Sequence, residues 1–339
     1  MPKKSASAEL AFDEQLTHLE KETQSIREQL SALQRKIAKS SDSESRKREY
    51  LQRVCDLTPP DWYLKLLIDQ ASVNGVKLGR VSSFRLLMGV ATRRRNLSGH
   101  KIEWFLNNKN AAQSYAARLG VDTPKKYYQD EPLDKIEFKP MSVIKPSRGK
   151  SAIGTYLVIS EHDIRDVRTG ARLTSYSALR NELNALLTSG RVKINSWICE
   201  ELIGEIRGGE VLPARDLKFY CFYGKVAMIL EVERKDETKY CEWLPDGSLA
   251  STGRYAKQSF IGQGVTTEQI ERVAAFSKEI PVPFMRIDFL VTESRFVLGE
   301  FTPRPGQFDN FSDEFDQYLG THYLAAEARL SRRMAKQWR

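Results

Sequence analysis

Between residues 10 and 37 the apolar positions fall alternately four and three apart. Phe12, Leu16, Leu19, Thr23, Ile26, Leu30, Leu33 and Ile37 share one seam of a long helix. The flanks are polar, and Glu22 and Arg27 take g and e positions able to pair between parallel chains. The spacing predicts a coiled-coil homodimer; an amphipathic helix folded back on its own domain is the competing explanation. About four heptads make a weak coil unless the globular parts also touch. The stretch KSSDSESRKREY is rich in serine and charge and reads as a linker or as a solvated helical continuation. Pro59-Pro60 breaks any helix, DWYLKLLIDQA starts a new amphipathic one with Asp61 as its cap, and short helices continue to about residue 106.

The pattern then changes period. MSVIKPSRGKSAIGTYLV reads as strand, basic Gly-containing loop, strand, and offers backbone N–H groups and lysines suited to a polyphosphate. SYSALRNELNALL is helical, KINSWICEELI is a strand, and CFYGKVAMILEV turns tightly through Tyr223-Gly224. In TTEQIERVAAFSKEI a capping box at Thr267 opens a helix with Ile270, Val273, Ala274 and Ile280 at helical spacing. Two alternating runs flank TESR in MRIDFLVTESRFVLGEFTPRPG, so a hairpin brings Asp288 and Glu300 to one sheet edge. Such a pair suits Mg²⁺, which takes one or two carboxylates plus phosphate and water oxygens. Arg286 faces the same side as Asp288, so a simple ion pair is the bland alternative. A final helix follows FSDEFDQYLG, and no internal repeat is present.

The order of these segments resembles the ATP-grasp fold, and the wording is most similar to its TupA-like group, associated with teichuronic acid and other surface-polysaccharide gene sets. NNKNAAQSYAARLGVDTP, VIKPSRGKSAIGTYLV, ICEELIG, DLKFYCFYGKVAMILEVER and RIDFLVTESRFVLGEFTPRPG carry the resemblance. It implies an α/β (α+β) architecture of two α+β lobes clasping ATP, behind the N-terminal helix. The expected divisions are 1–56 for coil and linker, 57–135 for a helical region leading into the grasp fold, 136–205 for the small lobe and 206–339 for the large lobe.

By resemblance, Lys109 approaches the nucleotide phosphates and Lys145 the adenine and α-phosphate side. Ser147, Arg148, Gly149, Lys150 and Ser151 match the phosphate lid, and the peptides of Glu200, Glu201, Leu202 and Ile203 match the adenine hinge. Asp216 matches a ribose carboxylate, Lys218 and Arg234 the basic residues aimed at phosphate, and Arg286 the residue near the γ-phosphate. Asp288 and Glu300 match the magnesium ligands. Thr302 stands where many relatives have Asn, as the polysaccharide-associated group tends to, and its hydroxyl is a poorer metal ligand than an amide carbonyl. Arg304, just past this strand, could meet an anionic acceptor.

Composition adds limits. The 339 residues are 41% apolar, with no run as long as a membrane span and no apolar signal core, so a cytoplasmic protein is expected. Cys55, Cys199, Cys221 and Cys241 show no metal or disulfide spacing, and His18, His100, His162 and His322 have no partner by spacing. A net charge of +9 with basic runs at Arg93–Arg95 and SRRMAKQWR invites a polyanion. No nucleic-acid recognition motif accompanies them, so nucleic acid is not the expected partner, whereas an anionic glycan or membrane surface fits.

The leading expectation is a ligase that uses Mg-ATP to join a carboxylate to an amine, both small or glycan-linked, through an acyl phosphate. A kinase of the same fold and a non-enzymatic coiled-coil scaffold binding polyanions are the alternatives.

Overall fold

The computed structural model describes residues 3–99, 102–148, 152–208, 210–234 and 237–336, apart from the side chains of residues 3–10, Asn74, Arg207 and Arg234. The chain divides into two compact units. The first holds the chain up to Leu87 together with Asp316–Thr321, and the second holds Met88–Phe315 and the chain from His322 on.

In the first unit the expected long helix is present as α1 (Lys3–Ala38), followed by α2 (Glu44–Leu57) and α3 (Lys65–Asn74). Ser43 caps α2 by accepting from Arg46 N–H. Leu30 and Ile37 pack with Leu51, Val54, Cys55 and Leu67 into a small core. Gln34 is buried beside them, and its Oε1 accepts from Leu64 N–H at 3.4 Å. The heptad seam is thus split: its last turns fold back on the unit, whereas Phe12, Leu16, Leu19 and Ile26 stay exposed. Asp61 does not cap a helix. It lies inside a 3₁₀ turn, Pro60–Trp62, and α3 starts only at Lys65.

The fourth helix, α4 (Phe84–Ser98), begins in this unit, and residues 316–321 of the last helix (Asp313–Lys336) pack beside its start. Asp316, nearly fully buried, accepts from Arg85 N–H at 2.8 Å. At Gly320 a Cβ would stand 1.5 Å from the Ser82 carbonyl oxygen, so only glycine fits there.

The second unit continues with α5 (Ile102–Leu106) and α6 (Lys109–Arg118). Its first sheet joins β1 (Lys126–Glu131), β2 (Ser142–Pro146), β3 (Tyr156–Val158), β4 (Ile164–Asp166), β5 (Arg172–Leu173) and β6 (Trp197–Glu201) in the order β1-β6-β2-β3-β4-β5. Helix α7 (Tyr176–Thr188), capped by Ser175, packs Leu179, Leu183 and Leu186 against one face with Ile144, Val158 and Trp197. A ribbon of β7 (Gly204–Arg207) and β8 (Glu210–Pro213) follows the hinge.

The second sheet has the order β11-β10-β9-β12-β13, all antiparallel, from β9 (Arg215–Cys221), β10 (Val226–Arg234), β11 (Thr238–Trp243), β12 (Met285–Val291) and β13 (Phe296–Thr302). Strands β9 and β10 turn through Tyr223-Gly224 in a two-residue hairpin, both residues at positive φ (35° and 86°). Helix α8 (Thr267–Ser277) starts at Thr266, whose side chain forms the capping box with Gln269; the cap lies one residue before Thr267. The last helix is α9 (Asp313–Lys336).

Period-2 alternation sorts β9 and β12 into two faces. Leu217, Phe219, Ile287 and Phe289 join Ala112, Ala116, Val273 and Phe276 in the core under α6 and α8. Asp216, Lys218, Arg286 and Asp288 therefore stand on the opposite face. A bulge between Asp288 and Phe289 leaves Gly299 as the extra residue of β13.

Gly320→Ala should lower stability by about 1–3 kcal/mol through the backbone collision. Gly89→Ala, in α4 with open space around it, should be neutral or gain up to about 1 kcal/mol. Denaturant unfolding of the two variants checks the contrast, and equal stabilities would refute the packing at Ser82.

Candidate active site

Strand register alone sets three charged residues in a row. Asp288 lies opposite Lys218 on one side and Glu300 on the other. Its carboxylate, 3% exposed, accepts from Lys218 Nζ at 2.6 Å and from Arg286 Nε and Nη2 at 2.7 and 2.6 Å. Lys218 Nζ also reaches Asp216 at 2.8 Å, and Arg286 Nη2 reaches Thr302 Oγ1 at 3.0 Å and Glu300 Oε1 at 3.4 Å. Burial alone would raise the Asp288 carboxyl, but Arg286 and Lys218 outweigh it and hold it below its usual range. Glu300 moves the other way: burial and then the Asp288 charge push its pKa up, although its side chain keeps about half its surface open to solvent.

Two crowded carboxylates, one of them driven toward its neutral form by burial and by the other's charge, are a donor set that a divalent cation would relieve. Among the described residues no group of three or more His, Cys, Asp or Glu gathers to cage a metal. Two hard oxygen ligands with room for phosphate and water fit Mg²⁺ rather than a closed structural site. Thr302 Oγ1 accepts from Arg286 and so lies beside this pair.

On the first sheet the charge is reversed in balance. Lys145 forms an ion pair with Glu200 on the neighbouring strand, and Lys126 lies across from Glu200 on the other side. Lys109, the first residue of α6 after its Asn108 cap, points its Nζ to Pro146 O at 3.4 Å. Burial, then the nearby Lys145 charge, lowers its pKa to about 8, against the opposing pull of Glu200 and Glu300. Lys109 therefore stands within the electrostatic field of both carboxylate groups, one on each sheet.

The hinge residues divide between fold and site. Glu201 takes Arg295 Nη1 at 2.6 Å, and Arg295 Nη2 also holds Asp122 at 3.0 Å, tying the hinge to the turn of the β12–β13 hairpin. Glu201 N–H donates to Lys125 O and Leu202 N–H to Met141 O, while Ile203 O accepts from Ala214 N–H. Leu202 and Ile203 are buried.

The remaining expected residues are more scattered. Ser147 opens the lid loop, and its N–H donates to Ser196 O; Arg148 is exposed; Gly149, Lys150 and Ser151 lie outside the described residues. Arg234 ends β10, and its side chain lies outside the description. Arg304 is not part of the carboxylate cluster: its guanidinium stands 5.7 Å from the Trp104 ring centroid and 3.5 Å from Thr92 Oγ1, beside a small pocket lined by Met88, Phe284 and Tyr323.

Two buried clasps escaped sequence reasoning. Glu231 accepts from Arg215 Nε (2.9 Å), Trp243 Nε1 (3.1 Å) and the N–H groups of Gln263 and Gly264 (3.2 and 3.3 Å), pinning the loop before α8. Glu242 pairs with buried Arg254, which stacks 3.8 Å over Phe311. Glu231 was visible as an acid placed in phase with the core residues of MILEV, a position that demands a cation.

No curated protein matches the chain. Among solved structures, the D-alanine–D-alanine ligase from Bacillus anthracis complexed with ATP is 15% identical over 69% of either chain, with a TM-score of 0.37. The ATP-grasp ligase PsnB, complexed with a phosphomimetic variant of its minimal precursor, Mg and ADP, is 13% identical over 65% of this chain and 59% of its own, with a TM-score of 0.39. An L-amino acid ligase from Bacillus licheniformis is 13% identical over 79% and 55%, with a TM-score of 0.35. The chain thus spans less than two thirds of the last two. The family model for TupA-like ATP-grasp proteins matches residues 89–324, more than two thirds of the sequence, and the chain belongs to that family.

Proposed function

We propose that the protein is a carboxylate–amine ligase that consumes ATP, acts in the cytoplasm and serves surface-polysaccharide or related biosynthesis. The observation that carries this reading is the row Lys218–Asp288–Glu300 with Arg286 across it. In the reaction a carboxylate oxygen attacks the γ-phosphorus as the bond to ADP breaks. The amine nitrogen then attacks the acyl carbon, phosphate departs with the C–O electron pair, and an amine proton leaves with it. Magnesium held by Asp288 and Glu300 would offset charge on the phosphate oxygens. Arg286 and Lys218 keep Asp288 ionised and present positive charge where the phosphoryl group would pass. Lys109 at the start of α6 and Lys145 on the first sheet would meet the phosphates from the other side, and an adenine edge would meet the hinge peptides beyond Leu202, whose own N–H is engaged. Among the described residues no helix is long and apolar enough to cross a membrane.

A nonhydrolysable ATP analogue with Mg²⁺ should bind wild type in the micromolar range, on the order of −8 kcal/mol. Glu300→Gln should weaken it about tenfold or more by calorimetry. Turnover should release ADP and phosphate only with both a carboxylate and an amine; AMP and pyrophosphate would contradict the reading.

Phosphate favours the charged form of Lys109, whose pKa in the free protein is about 8. Analogue affinity should hold below pH 8 and fall as the pH rises through and beyond it. Lys109→Met should bind more weakly with a flatter profile, and an unchanged profile would remove Lys109 from the site.

The exposed seam of α1, with Phe12 63%, Leu16 57%, Leu19 55% and Ile26 51% open, keeps heptad spacing and complementary charges for a second copy of this chain. Sedimentation equilibrium should give a dimer for wild type and a monomer for Leu16→Glu/Leu19→Glu. A monomeric wild type would reject the coil.

A further inference from the structure

The last turns of α4 carry Arg93, Arg94 and Arg95 in succession. Arg95 reaches α5, where its guanidinium stands 3.8 Å from the Trp104 ring centroid. Arg94 pairs with Glu327 of α9 at 3.0 Å, so α9 runs beside the same corner. Arg93 is exposed and shares one side of α4 with Leu97, four residues on. Beyond Glu327, α9 carries four basic residues and no acid as far as Lys336. Arg329 and Arg333 are engaged by the carbonyls of Phe222 and Lys278, whereas Arg332 and Lys336 face solvent. Glu103, the one acid of α5, is half-buried and lines the pocket beside Arg304.

Basic residues in the last turns of a helix need no ligand, because they offset the helix dipole. The apolar positions at this corner are what that account leaves over. Leu97, Ile102, Phe105 and Met334 keep 69%, 47%, 64% and 57% of their surfaces open. Ile102 and Phe105, three apart, share one side of α5, while Leu106 turns into the core. Met334 lies seven residues beyond Glu327, on the side of α9 that meets α4. Single exposed apolar side chains are ordinary, but four of them around one basic corner, drawn from three helices, form a surface. Nucleic acid would use the guanidiniums and leave Leu97 and Ile102 with nothing to meet. A bilayer with anionic headgroups uses both: its phosphates meet the arginines, and the apolar side chains enter the boundary between headgroups and acyl chains.

We propose that the corner of α4 and α5, with the end of α9, docks the protein on an anionic lipid bilayer. Leu97, Ile102, Phe105 and Met334 enter the interface, and Arg93 and Arg95 take headgroup phosphates. The proposal stands apart from the ligase reading, since none of these residues belongs to the groups assigned to nucleotide and metal.

Flotation of the full chain with lipid vesicles tests it. Wild type should float at physiological salt with vesicles of equal parts phosphatidylcholine and phosphatidylglycerol, and should stay behind with phosphatidylcholine alone. Leu97→Ser/Phe105→Ser should lower the partition coefficient about tenfold or more, and Arg93→Glu should lower it about tenfold. Both variants should keep the wild-type circular dichroism and denaturant midpoint. Failure of wild type to float on anionic vesicles would overturn the proposal, as would undiminished flotation of folded Leu97→Ser/Phe105→Ser. Loss of flotation in Leu16→Glu/Leu19→Glu but not in the corner variants would also overturn it, by moving the lipid contact to α1. Release of wild type from the vesicles by duplex DNA at equal phosphate would do the same in favour of nucleic acid.

Discussion

The balance of charge around Asp288 governs the charged face of the second sheet. A carboxylate with almost no exposure stays ionised only because a lysine from one neighbouring strand and an arginine from its own strand both meet it. Removing one partner leaves a buried charge uncompensated, at a typical cost of about 3–5 kcal/mol. That arrangement makes the same three strands serve stability and chemistry at once. The core beneath them, with Phe219, Phe289, Phe276 and Phe301 packed at ring-centroid distances near 6 Å, fixes the register on which the row depends.

The two faces have opposite electrostatic characters. Around Asp288 and Glu300, negative charge is crowded and Glu300 is driven toward protonation. Around Lys109, Lys126 and Lys145 positive charges gather, and burial, with the Lys145 charge adding to it, drives both Lys109 and Lys126 toward neutrality. Each group bears a cost that a ligand of opposite sign would relieve. A magnesium-bound polyphosphate is cationic at one point and anionic along its length, and it suits both.

Much of this was legible from period and turn chemistry. Alternation around TESR brought Asp288 and Glu300 to one sheet edge and Tyr223-Gly224 marked a tight hairpin, because both signals are local, whereas the bulge at Gly299 that sets the two acids directly opposite left no sequence signal. The α1 seam was legible as a stripe but not as a divided one. Folding Leu30 and Ile37 against α2 and α3 is a tertiary choice that heptad spacing cannot encode. Asp61 failed as a cap because Pro59-Pro60 favours a 3₁₀ turn that delays α3 to Lys65. Arg304 follows β13 as its place in the sequence implies, but its proximity to the Trp104 ring joins residues far apart along the chain and left no local signal. Asp130 gave no signal at all, since its hydrogen bonds come from Asn110 and Ser147, both distant along the chain.

The Arg295 strap has a mechanical meaning. By fastening Glu201 of the first sheet and Asp122 to the turn between β12 and β13, it joins the two sheets at one end of β6, while Lys109 and Asn110 at the start of α6 reach Pro146 O and Asp130 nearer the other. Loss of the Arg295 guanidinium would free Glu201 and Asp122 at that end while the α6 hydrogen bonds at the other stayed in place.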